Sequence, residues 1–168
     1  MTRGGPGLFE AVTGHFANGD PIGLHSRNQQ TFLSVRDNIQ RILNSRRDSL
    51  AHLPDYGLGD LSKIYRHMPA SAHTLQREIE DTLLKYEPRL KSIDIASADT
   101  EEGMLLSFTM SCELHQAGLV RYGTHFAPDG QTRLTTHEAI VAAASERAPY
   151  SNTSTNSRLP SRNASATC

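Results

Sequence analysis

The stretch LLKYEPRLKSIDI, residues 83–95, changes its period in the middle. Upstream, Leu75, Ile79 and Leu83 recur at steps of four, the spacing of one helix face. Downstream, Ile93 and Ile95 stand two apart, the spacing of one strand face. Between them Pro88 lacks an N–H, and its ring disfavours helical backbone at Glu87, so a helix from about residue 71 has to stop near Tyr86. If the chain then continues extended, Glu87 and Arg89 point to the same side. Two readings of that pair follow. It is either a solvated surface ion pair worth about 0–1 kcal/mol, or a preorganised fork that orients a partner through bidentate recognition of a carboxylate. Spacing alone favours the surface pair.

Working outward, Phe32, Val35, Ile39, Ile42 and Leu43 predict a helix over 29–46 with one buried stripe. Ser26 with Gln29 and Ser34 with Asp37 are two candidate capping pairs for its start. Residues 48–70, bounded by prolines, read as an ordered connection with one short helix, anchored by Tyr56 and Leu58. Met104, Leu106, Phe108, Met110, Cys112 and Leu114 alternate with polar residues, which makes the clearest strand. A third strand over about 119–126, the turn APDG and a fourth strand, QTRLTT, complete two hairpins. The alanine-rich THEAIVAAASE, beginning with a threonine cap, predicts a short helix over 136–145. Helices followed by an antiparallel meander make an α+β fold in a single domain.

The chain has 168 residues, enough for one core. A hydrophobic fraction of 37% with no Trp is lean and places part of the chain outside that core. The glycine-rich residues 1–28 read as a flexible, loosely attached arm, residues 29–146 as the domain, and the Ser/Thr/Asn-rich residues 147–168 as a disordered tail. A net charge of −1 without basic runs argues against nucleic acid and anionic lipid as partners. The short apolar runs argue against membrane insertion, and the expected compartment is the cytoplasm. Cys112 reads as a small buried hydrophobe, and a disulfide with Cys168 is not expected. The sequons at Asn152 and Asn163 read as tail composition. The eight histidines form no pair at metal-binding spacing with a third ligand, so neither metal nor cofactor is expected. His52, His67 and His73 read as surface or partly buried polar residues.

Four motifs occur in order: SVRDNIQRILNSRR (34–47), DYGLGDL (55–61), the helix ending in YEPRL (86–90), and the alternating strand with its hairpin. Together, over about residues 30–136, they resemble the TssE family of type VI secretion baseplates. That family is related to the wedge protein of contractile phage tails long labelled lysozyme-like. Departures are local: Ser45 and Asp48 stand where the family commonly shows Thr and Gly, and Gly59 where Pro is frequent.

The resemblance implies a structural role. In the family the Glu-Pro-Arg motif contacts the helical core bundle formed with TssF and TssG, which maps here onto Glu87, Pro88 and Arg89. It also implies contact with TssK through the baseplate at the inner membrane. A further implication is initiation of the TssB/TssC sheath by strand exchange from an edge between about residues 90 and 136, the second hairpin being favoured. Two alternatives stand beside this reading. One is an interaction module of another contractile-tail assembly. The other is a lysozyme-like peptidoglycan hydrolase with Glu87 as acid, against which the adjacent arginine argues, because a glycosidase acid needs a raised pKa and a second carboxylate. Asp94 and Asp99 are available as that second carboxylate, but no spacing singles them out.

Overall fold

A computed structural model describes residues 4–100 and 102–141. Helices α1 (Leu8–Thr13), α2 (Arg27–Asn44), α3 (Leu61–Arg66) and α4 (Ala72–Tyr86) precede strands β1 (Leu90–Ser97), β2 (Leu106–Leu114), β3 (Gly118–Phe126) and β4 (Thr132–Val141). The strands form one antiparallel meander in the order β1-β2-β3-β4, so the fold is α+β with its helices N-terminal to the sheet.

Ser26, not Ser34, opens α2. Its hydroxyl accepts from the Gln29 N–H while the Gln29 side chain accepts from the Ser26 N–H, a reciprocal capping box. Ser34 and Asp37 lie inside the helix, and both are buried. The apolar stripe of α2 meets Leu75, Ile79 and Leu83 of α4 and the inward side chains Phe108, Met110, Cys112, Val120 and Tyr122 of the sheet. Every second residue of β2 from Leu106 to Leu114 is buried, as the alternation requires. Hydrogen bonds also brace the layers. The Tyr122 hydroxyl donates to the Phe32 carbonyl at 2.8 Å. The Asn44 amide exchanges hydrogen bonds with the Thr132 backbone at 2.7 and 3.0 Å.

The connection after α2 is strapped to itself. Leu58, which is buried, donates its N–H to the Ser45 carbonyl, and Arg47 donates to the Leu58 carbonyl. Tyr56 is half-buried and meets Tyr86 edge to face at 5.1 Å. Gly57 has φ 97°, and a Cβ there would sit 2.2 Å from the Ser45 oxygen, so the motif needs glycine twice over. Asp48 takes a left-handed φ of 64°, a conformation that aspartate tolerates and glycine adopts freely, which accounts for either residue at that turn.

The helix expected over 136–145 is not formed. Residues 136–141 continue β4, with Glu138, Ala139, Ile140 and Val141 opposite Arg121, Val120, Leu119 and Gly118. β3 extends to Gly118 through its pairing with β2, and its other side presents a row of backbone groups that a further strand satisfies, so tertiary pairing overrides alanine's helix propensity. A register shift between Arg121 and Tyr122 accommodates the extra residue His137. Residues 142–145 and the tail over 147–168 lie outside the described residues.

The segment read as a loosely attached arm runs along α2. Its Ala17 N–H donates to Asp37 Oδ2 at 2.8 Å, Gly5 and Gly7 donate to the Thr31 and Ser34 hydroxyls, and Phe16 is buried.

Candidate functional site

The joint between α4 and β1 is a turn rather than an extended segment. Glu87 caps α4, with φ −114° and ψ 91°, the extended backbone that a following proline imposes. Pro88 then occupies the second position of a tight turn closed by Leu90 N–H on the Glu87 carbonyl at 3.0 Å. The turn folds Arg89 back over Glu87. Arg89 Nε and Nη2 reach the two carboxylate oxygens at 2.8 Å each, and the Arg89 backbone N–H adds a third bond at 3.0 Å. The expected pairing is present, but its cause is the turn.

Nor is it a solvated surface pair. Glu87 is 1% exposed and the Arg89 side chain 17%. A fourth donor, Asn38 Nδ2, reaches Glu87 Oε2 at 2.9 Å, so the carboxylate, with about four acceptor sites, is saturated. Burial strongly opposes the charge on Arg89, yet the hydrogen bonds and charge of Glu87, with the charge of Glu10 behind them, hold its pKa above the ordinary value.

The network extends beyond the turn. Arg89 Nη1 donates to Ser34 Oγ at 2.9 Å, and Ser34 in turn donates to Glu10 Oε2 at 2.9 Å. Ser34 also accepts from the Gly7 N–H at 2.8 Å, which uses its one donor and both acceptor sites. Arg41 Nη2 closes the chain on Glu10 Oε1 at 2.6 Å. Burial is the largest influence on Glu10 and raises its pKa. The hydrogen bonds from Arg41 and Ser34, with Arg41's charge, outweigh it and leave the carboxyl below its ordinary value.

Ser34, Asn38 and Arg41 are missing from the sequence-based set. Their spacing of four and three puts them on one face of α2, a polar stripe flanking the apolar one, and that was the available signal. Glu10 had none, because its partners lie 24 and 31 positions away. Asp94 and Asp99 are exposed and take no part in the network.

Around the network lies a surface cleft of about 680 Å³. It is lined by the turn Glu87–Pro88–Arg89, by Ser34, Asn38 and Arg41 of α2, and by residues 5–10 and Val12. The cleft presents a locked guanidinium among apolar side chains, a geometry suited to orienting another protein. No group of His, Cys, Asp and Glu among the described residues is arranged to hold a metal ion.

A family model described as baseplate wedge protein gp25 matches residues 29–118, just over half of the chain. A chain of the solved structure "The baseplate complex from the type VI secretion system" is 32% identical. The match covers 67% of this chain and 98% of that one, with a TM-score of 0.44. A comparison with curated proteins finds no match. The turn and its α2 partners fall within the matched residues, whereas Glu10 and α1 precede them. The chain therefore belongs to the baseplate wedge protein gp25 family, as a TssE-like member.

Proposed function

We propose that this baseplate subunit docks on its wedge partners through the Glu87–Pro88–Arg89 cleft. The observation that carries the reading is the saturation of Glu87: a carboxylate bonded four times holds Arg89 in one orientation at the cleft wall. A side chain fixed before binding loses little rotamer entropy on association, so Arg89 is preorganised for a partner. We take the helical bundle formed by TssF and TssG as that partner, with TssK reached through the assembled baseplate, a reading that membership of the baseplate wedge family supports.

The same saturation disfavours the hydrolase reading. Glu87 has no lone pair left to carry a proton to a glycosidic oxygen, and we read the protein as structural. Peptidoglycan turnover by the purified protein, abolished in Glu87→Gln, would reverse this. No helix among the described residues is long and apolar enough to cross a membrane.

Sheath initiation is the second part of the proposal. Among the described residues, the strand order leaves β1 and β4 as edges. We favour β4, the outer strand of the second hairpin, as the template for a TssB/TssC strand by β-augmentation. A proline at a β4 position whose N–H faces away from β3 removes an outward donor. It should spare wedge assembly and stop sheath growth.

Docking is tested by co-expressing the chain with TssF and TssG. Glu87→Ala with Arg89→Ala removes both charges together, and the folded double variant should no longer recover the partners. Recovery at the wild-type level would sink the docking role.

A further inference from the structure

Helix α1 is amphipathic in the reverse sense for a helix lying on a protein. Its acidic residue faces inward: Glu10 is 2% exposed and bound to Arg41 and Ser34. Its apolar residues face out, with Leu8, Phe9 and Val12 84, 60 and 79% exposed. At about 100° per residue these three share one side of the helix and Glu10 takes the other. An exposed apolar patch beside polar groups is a feature of interaction surfaces.

Leu8, Phe9 and Val12 line the same cleft as Pro88 and Arg89. We propose that the α1 ridge is the apolar half of the docking surface whose polar half is the Glu87–Pro88–Arg89 turn. The occupant is an apolar stripe on the same wedge partner, flanked by a carboxylate that meets Arg41. The inference rests on the docking role proposed above and adds to it a segment that precedes the family match.

Three observations select this occupant. The ridge is continuous with the cleft, so whatever seats against Arg89 also meets α1. Three side chains fall well short of the roughly 800 Å² per partner of a stable interface, so the ridge extends a larger contact and does not dimerise the chain by itself. Arg41 and Arg89 are matched by Glu10 and Glu87, leaving no net positive charge to draw the cleft to an anionic lipid surface. The Arg41 guanidinium lies 4.5 Å from the Phe9 ring centre, the Arg41 side chain is 40% exposed, and one of its nitrogens is bonded to Glu10. Its other N–H groups suit a partner carboxylate beside the apolar contact.

Glu10 acts as a positioning residue, because its buried carboxylate latches α1 to α2. The full chain is co-expressed with TssF and TssG in three forms: wild type, a Leu8→Ser, Phe9→Ser, Val12→Ser variant, and Glu87→Ala with Arg89→Ala. The ridge variant should recover about tenfold less TssF and TssG, the loss expected of one interface anchor, at an unchanged melting temperature. A Leu8→Lys, Val12→Lys variant, which keeps Phe9 under Arg41, should lose binding in the same way. Wild-type recovery by both ridge variants overturns the inference. The docking reading survives that outcome if the Glu87/Arg89 variant fails to bind, and falls with it if that variant binds too. Vesicle flotation or self-association lost in the ridge variants, with TssF and TssG still recovered, overturns the inference in favour of a lipid surface or a second copy.

Discussion

Ser34 on α2 and Arg89 in the turn before β1 meet at 2.9 Å through Oγ and Nη1. Through Ser34 the turn is tied to Glu10 of α1, so three separate segments hold one guanidinium. This dependence makes the site sensitive to which partner is removed.

Arg89→Ala alone strips the two guanidinium bonds, from Nε and Nη2, off the buried Glu87 carboxylate and leaves its charge without a counter-ion. The variant should lose about 3–5 kcal/mol of stability. Glu87→Ala with Arg89→Ala removes the charge with its partner and should lose less. Urea unfolding midpoints compare the two; equal losses would show that burial of Glu87 is not what makes the single change costly.

Glu10 has its folded pKa lowered from 4.5, so its contribution is fully present above the unfolded value and is lost as pH falls through the folded value. The stability difference between wild type and Glu10→Gln should be constant above about pH 5.5 and shrink below about pH 4.5. Denaturant titrations across this range read the convergence. A difference independent of pH would mean that the carboxylate charge is not what latches α1.

Gly57→Ala places a methyl 2.2 Å from the Ser45 oxygen at a φ of 97°. The substitution should destabilise by more than about 1 kcal/mol. Gly130→Ala, also at positive φ (81°) but in open space, should cost less, since it carries the backbone term without the clash. Thermal melts of the pair separate the two effects.

Cys112 is shielded on the inner face of the sheet, where burial, and after it the charge of Glu87, push the thiol pKa up to about 12. Alkylation mapped to the Cys112 peptide should be negligible at pH 8 in the native protein and complete once denaturant is added. Native labelling at the denatured rate would show that the core opens freely between α2 and the sheet.

Much of the architecture was legible because it depends on short-range periodicity. Steps of three and four marked α2 and α4, alternation marked β2, and the Pro-Asp-Gly turn marked the hairpin into β4. The failure at 136–145 has the same origin. Local alanine content favours a helix, whereas the unpaired side of β3 is a demand made by distant residues. The site was half legible: Pro88 announced the end of α4 and the pairing of Glu87 with Arg89. The pair's burial was not announced, nor were Asn38 and Arg41 in their roles.

The sequence by itself determined where elements begin, end and change type, and the order of motifs that marks the family. Hydrophobic spacing, capping residues and proline act over a few positions, so they can be read along the chain. Only the tertiary structure decided that Glu87 is buried beneath four donors, that Glu10 reaches across to Ser34 and Arg41, and that α1 turns its apolar side outward. Each is an energetic balance between desolvating a group and bonding it to residues far away in the chain. No local pattern encodes that balance, because it exists only once the partners have been brought together.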